Sequence, residues 1–363
     1  MKAHFAQERK VARLHRSKGD ATHGPASTTA RSSSTRSQTS VAQPVAAARR
    51  LWSALPAMPE SQRYVMIMQG NGAMAPMVHN WMCNTKHMTG VHERTLIVMS
   101  DTAGFSALAG NPYNVAVAEM QLPDRGLAQS LNFGTYGYWK LTAARMQMLN
   151  DLISAGIPFL NWEPDAIWLR SPLDDAELAA AATSVDLAIS SDIDEAGSRY
   201  LAVGFMFVKP NARTEQLFSK LVSTLDNNIR NLGPHALNDD VGQKVGDAGD
   251  VTDVIRSPKP LGEQVILEGL LKDGYANATH HALSPCVYAS GLWYRPNEDA
   301  KRRNCILKHG VPVLINNNWI IGNDAKIERS KAWGHWFIEN DGACDADRVA
   351  KAMTCGVWPP ALA

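Results

Sequence analysis

A chain of 363 residues with 45% hydrophobic and 20% charged residues can bury one large core or two modest ones, which excludes disorder through its whole length. The formal net charge of +1 divides unevenly: residues 1–50 carry ten Lys/Arg against Glu8 and Asp20, a net of +8, and residues 51–363 a net of −7. A mildly acidic body excludes a nucleic-acid-binding surface there, since phosphate contacts need clustered Lys/Arg, and no run approaches the roughly 18 apolar residues of a membrane-spanning helix.

Residues 1–60 read as a basic Ser/Ala/Arg-rich head, and the stretch 22–50 has no apolar periodicity, so it is expected to be disordered. Its acid-poor, hydroxyl-rich composition suits an organelle transit peptide or a stalk. From residue 61 apolar runs alternate with helical patterns. The runs are 63–69, 95–100, 115–120, 157–162, 185–191 and 200–209. Between the first two, Met74, Met77, Val78, Trp81 and Met82 fall on one helical face, and 136–155 reads as the longest helix, with Gly156 as its stop. Strands alternating with helices of this length give a largely parallel sheet, whose ligands sit beyond the carboxyl ends of its strands. A domain at 61–340 is followed by a tail, 341–363, in which Trp358 is the candidate anchor.

Five cysteines without a CxxC spacing exclude a zinc ribbon or a disulfide scaffold. Cys286 with Cys305, and Cys344 with Cys355, can each close a short loop in an oxidising compartment; free thiols are the alternative. The eleven histidines show no ligand spacing, which argues against a zinc site.

The segment 156–172 carries the most chemistry, because an apolar run ends in Glu163-Pro164-Asp165. On an extended chain residues two apart point to one side, and Pro164 marks the place where strand pairing stops. Two carboxylates facing one way suit a hard divalent cation, Mg²⁺ typically taking one or two of them beside substrate phosphates. The alternative is an acidic turn.

Around that motif stand Lys140 and Arg145 on the preceding helix and Trp168-Leu169-Arg170 with Pro172 after it. Further on come the run 186–192, the segment 237–240, and the late pattern Asn318-Trp319, Gly322, Lys326, Arg329, Trp336. In this order they resemble the nucleotide-diphospho-sugar transferase family, plant and algal GT-A glycosyltransferases that include arabinosyl-, xylosyl- and galactosyltransferases. The resemblance implies a Rossmann-type α/β fold, a mixed and mostly parallel sheet flanked by helices in one domain. It implies transfer of a sugar from a nucleoside-diphosphate donor to a glycan or glycoprotein acceptor, and a Golgi or other secretory location, plastid and cytoplasm being the alternatives.

The family's DxD motif, which holds Mn²⁺ or Mg²⁺ against the donor diphosphate, maps onto Glu163 and Asp165. Its first Asp is Glu here, one methylene longer, which leaves Asp165 the safer ligand. Where relatives carry a late His before Asn-Trp, this chain has Asn316, the third candidate metal ligand. The resemblance assigns Asp101, Lys140, Arg145, Glu163, Asp165 and Lys326 to the donor, Asp239 and Trp319 to the acceptor, and Asp165, Asp192 and Asp240 to the reacting centre. Asp101 reads equally as a helix N-cap. The two departures from the family motif raise the alternative of a non-catalytic glycan- or nucleotide-binding chain. A sugar nucleotidyltransferase is disfavoured, since no Gly-rich basic loop follows the first strand.

Overall fold

The structure is a computed structural model that describes residues 42–122, 131, 135–193, 199–232 and 262–355. The apolar runs become strands β1 (Val65–Gly70), β2 (Thr95–Met99), β3 (Ala116–Glu119), β4 (Phe159–Trp162), β5 (Ala166–Trp168), β6 (Leu187–Ile193) and β7 (Arg199–Val208). Three short strands follow, β8 (His280–Ala282), β9 (Tyr288–Ala289) and β10 (Leu314–Asn316). Seven of them form one sheet in the order β3-β2-β1-β4-β7-β6-β8. Its pairings are parallel except where β7 runs antiparallel to β4 and to β6. This is the mixed, mostly parallel α/β sheet flanked by helices that the sequence implies. β1 is hydrogen-bonded to β2 on one side and β4 on the other, so the chain changes direction across the sheet between β1 and β4, the kind of place where open α/β sheets bind ligands.

Both faces of β1 are buried, which is why its run reads as continuously apolar. Val65 and Ile67 join the core under α1 (Ala42–Ala54), while Met66 and Met68 pack with Val78, Trp81 and Met82 of α2 (Ala75–Thr85). A short helix, α3 (Thr102–Leu108), follows β2, and α4 (Tyr136–Ser154) precedes β4. Next come α5 (Ala176–Ser184) and α6 (Ala212–Leu232). Leu217, Phe218, Leu221, Leu225 and Ile229 of α6 recur at helical spacing and are buried against the sheet, each contributing about 1.5–3 kcal/mol of apolar burial. The last helices are α7 (Glu263–Lys272), α8 (Asp299–His309), α9 (Asn323–Ala332) and α10 (Ala346–Cys355). β5, β10 and β9 make a second, three-stranded sheet that carries the later half of the site.

The expectation of disorder fails over 42–54. These residues form α1, with Ala47 and Ala48 buried and Val45, Leu51 and Trp52 packed on the main core. Alanines let the helix approach the sheet closely without large side chains, so no periodic pattern of large apolar residues marks it. Residues 1–41 and Trp358 lie outside the described residues. Among the described residues the tail is held by Val349 and Ala352 of α10 and by a disulfide between Cys83 and Cys344. That bond excludes the Cys344–Cys355 pairing; the Cys286–Cys305 pairing is present. Starting the chain at Arg50, or the change Ala48→Glu, should lower the melting temperature by several degrees; unchanged melting in both would show α1 to be dispensable.

His335, just after α9, is fully buried with Nδ1 3.0 Å from the Tyr294 hydroxyl, and burial pulls its pKa down to about 4. The unfolded chain takes up that proton nearer pH 6.5, so the stability linked to neutral His335 is full above 6.5 and is lost as pH falls toward 4. Denaturant midpoints measured at pH 7 and pH 4.5 should fall by less in His335→Phe than in the native chain.

Candidate functional site

β4 stops because Pro164 has no N–H to extend the ladder. The Glu163 amide donates to the Gly204 carbonyl at 3.1 Å and the Ala166 amide to the Glu163 carbonyl at 3.1 Å, which closes a four-residue turn into β5. The extended geometry expected for Glu163-Pro164-Asp165 is therefore replaced by a reversal. Its two carboxylates are directed by separate partners rather than by a shared strand face.

Glu163 reaches Arg145 on α4, Nη1 to Oε1 at 3.2 Å, and Arg145 extends Nη2 to Glu263 Oε1 at 2.6 Å, at the start of α7. Arg145 and Glu263 are 8% and 5% exposed. Burial opposes the charge on Arg145, yet the carboxylates of Glu263 and Glu163 together raise its pKa above the ordinary guanidinium value. Burial also raises the pKa of Glu263, against the pull of Arg145. Arg145, expected on the donor, is thus committed to two carboxylates and acts on the site through Glu163. Glu263 carries no sequence signal, because its partner lies far away in the chain.

The other oxygen of Glu163 accepts from Asn316 Nδ2 at 3.1 Å. This contact crosses β7 at Gly204, in an irregular stretch where the β6–β7 pairing jumps from Ile189↔Met206 to Ser190↔Ala202. A Cβ at 204 would fall 2.3 Å from Asn316 Nδ2 and 2.6 Å from Glu163 Oε2, so only glycine leaves room for the pair. Asn316, on β10, keeps its Oδ1 buried with no hydrogen-bond partner. Asp165 is 5% exposed, and Lys326 Nζ on α9 lies 2.6 Å from its Oδ2, an ion pair without the directed geometry of a hydrogen bond.

Two carboxylates and an unpartnered buried carbonyl oxygen make a hard donor set that fits Mg²⁺ or Mn²⁺. Among the described residues no three His, Cys, Asp or Glu side chains gather for a metal ion.

Asp192, near the end of β6, is 2% exposed. Its Oδ2 accepts from Trp319 Nε1 at 2.6 Å and from the Tyr200 hydroxyl at 3.0 Å. Trp319 has φ +61°, a left-handed conformation that costs a bulky residue roughly 1–3 kcal/mol and persists where its surroundings over-determine it. Those surroundings are Asp192, the Arg295 guanidinium 5.7 Å from the indole centroid, and a loop gripped by Arg329 through Asn317 Oδ1 and the Asn318 carbonyl. Tyr200, Gly204 and Arg295 were not legible as site residues; Arg329 was visible only as part of the late pattern. A small cleft beside Asp192 is bordered by Ser290, Trp293, Glu298, Lys301 and Arg302.

Asp101 behaves as the N-cap alternative states: Oδ1 accepts from the Gly104 amide at 2.8 Å and Oδ2 from the Gly72 amide at 2.7 Å, tying the β1 and β2 ends together. Lys140 is half-buried on the second turn of α4. Asp239 and Asp240 lie outside the described residues.

The family description "Nucleotide-diphospho-sugar transferase" matches residues 90–329. The chain is 22% identical over 286 residues to a UDP-D-xylose:L-fucose alpha-1,3-D-xylosyltransferase of Arabidopsis thaliana, covering 76% of this chain and 70% of that one. It is 23% identical over 301 residues to the beta-arabinofuranosyltransferase RAY1 of the same organism, covering 79% and 50%. A UDP-galactose:fucoside alpha-3-galactosyltransferase of Dictyostelium discoideum is 20% identical over 217 residues, covering 58% and 30%. Among solved structures, the WbbM bifunctional glycosyltransferase aligns with a TM-score of 0.42 at 10% identity over 76% of this chain, which spans about half of that one. The galactosyltransferase LgtC aligns at 0.41 and 13% identity, over 70% of this chain and 86% of its own. With the family match spanning most of the described sheet and both halves of the site, the chain belongs to the nucleotide-diphospho-sugar transferase family.

Proposed function

We propose that this glycosyltransferase-family chain moves a sugar from a nucleoside-diphosphate donor, a UDP-sugar, to a glycan or glycoprotein acceptor with retention of configuration. The observation that carries the reading is a pair of contacts made from the one turn just beyond β4, Asn316 on Glu163 and Lys326 on Asp165, beside the place where the sheet changes direction. Glu163, Asp165 and Asn316 are the residues that would hold Mn²⁺ or Mg²⁺; such an ion, when bound, offsets the charge that grows on a departing diphosphate. Lys326 Nζ supplies a second positive contact to the same phosphates, with Lys140 nearer the start of α4. Arg145 and Glu263 hold Glu163 in place. Asp192 orients Trp319, whose indole offers a face to a sugar ring on the acceptor side. No side chain is assigned as general base.

A secretory location is part of the proposal, supported by the two disulfides, which persist in oxidising compartments, and by the plant relatives. No helix among the described residues is long and apolar enough to cross a membrane.

The second reading, a chain that binds a sugar nucleotide without turnover, is favoured by the ion pairs on both carboxylates. A panel of UDP- and GDP-sugars with Mn²⁺ or Mg²⁺, read out as released nucleoside diphosphate, separates the two. Turnover with a UDP-sugar that falls at least about 100-fold in Asp165→Asn supports catalysis. UDP binding by calorimetry with no release from any donor supports the second reading. Gly204→Ala should weaken UDP binding in Mn²⁺ by about tenfold or more, because the added methyl pushes Glu163 and Asn316 apart, while melting stays within a few degrees of native. A large drop in melting would assign Gly204 to the fold instead.

A further inference from the structure

We propose that Lys326 is a built-in competitor of the divalent cation. Its ammonium covers Asp165 until a diphosphate draws it off, so that the ion binds tightly only in company with the donor. This rests on the metal reading of Glu163, Asp165 and Asn316 above.

Each carboxylate of the motif already has a cationic partner before any ion arrives. Glu163 faces Arg145, and Asp165 faces Lys326 at 2.6 Å. A bare dication entering here must displace a unit positive charge from a carboxylate that is 5% exposed, and the displaced ammonium then needs a new partner. A diphosphate brings one: two or more negative charges to which Lys326 can turn, leaving Asp165 to the ion. The two cations differ in whether they can leave. Arg145 is buried and fixed by two carboxylates, whereas the Lys326 side chain is 24% exposed, sits on a flexible four-carbon stem, and holds Asp165 without directed hydrogen-bond geometry. The nearby Arg329 cannot replace it, since its guanidinium is spent on Asn317 and Asn318 and lies 4.6 Å from the Tyr294 ring centroid. Asn316 adds to the dependence. It offers the ion a neutral amide oxygen, which does little to offset the displacement.

The test is Mn²⁺ binding to the full chain at pH 7.5, read from the electron paramagnetic resonance signal of free Mn²⁺, with and without UDP. It needs no donor sugar and no turnover. In the native chain Mn²⁺ should bind weakly alone and tighten on adding UDP. Lys326→Met, which keeps the stem and removes the charge, should bind Mn²⁺ alone at least about tenfold more tightly than native, and UDP should add little further. Lys326→Gln should behave likewise, guarding against a packing fault peculiar to Met. Adding Asp165→Asn to Lys326→Met should abolish the gain. Native-like or weaker Mn²⁺ affinity in both folded Lys326 variants, while the native chain does bind Mn²⁺, overturns the competition and leaves the metal reading standing. No Mn²⁺ bound by any of the chains, with or without UDP, overturns the metal reading and this inference with it.

Discussion

Arg145 spends its charge in a place with almost no water, between the carboxylate that ends β4 and the one that begins α7. Removing such groups from solvent costs several kcal/mol per ion, and only the full set of contacts offsets it; deleting one member would leave an uncompensated buried charge, at about 3–5 kcal/mol. The arrangement therefore fixes three elements at once. α4, the turn after β4 and the N-terminus of α7 must arrive together or none of the three charges is satisfied. The polar contacts around the motif are placed relative to this one: Asn316 is oriented by the remaining oxygen of Glu163, Gly204 is small because that contact crosses it, and the turn that begins with Glu163 delivers Asp165 to Lys326.

The site is thus assembled from two layers that the sequence keeps far apart. The main sheet supplies Glu163, Asp165 and Asp192, whereas the three-stranded sheet and α9 supply Asn316, Trp319 and Lys326. β5 joins them, since it follows the turn directly and pairs antiparallel with β10, setting Ala166 opposite Asn316. That register is what brings an amide 153 positions away onto Glu163. A slip of one residue in this short pairing would turn Asn316 to the other face of the strand.

What the sequence discloses follows from the range of the forces involved. Strands β1, β2, β4 and β7 are buried on both faces, and burial writes itself as runs of apolar residues that can be read locally. The Asp101 cap is equally local, three residues from its partner amide. Partner choice is not local: nothing near Arg145 announces Glu263, and nothing in the spacing of the cysteines announces Cys83 with Cys344. α1 escaped because close approach by alanine leaves no pattern of large side chains. The direction of the Glu163 and Asp165 side chains was misjudged because Pro164, taken only as the end of a strand, is the second residue of a turn. Order along the chain, and the family it resembles, named candidates; only the fold says which of them hold one another.

The bond between Cys83 and Cys344 joins residues 261 positions apart and encloses every strand of both sheets except β1. It makes the part of the molecule that carries the candidate site a covalent circle. A single proteolytic cut anywhere inside that circle opens it without parting the pieces, so a nicked chain keeps its Asp165 and Lys326 halves attached and migrates as one species until a reductant is added. Wherever the bond stands oxidised, such a molecule records damage as a change in its reduced length and not as the loss of a fragment.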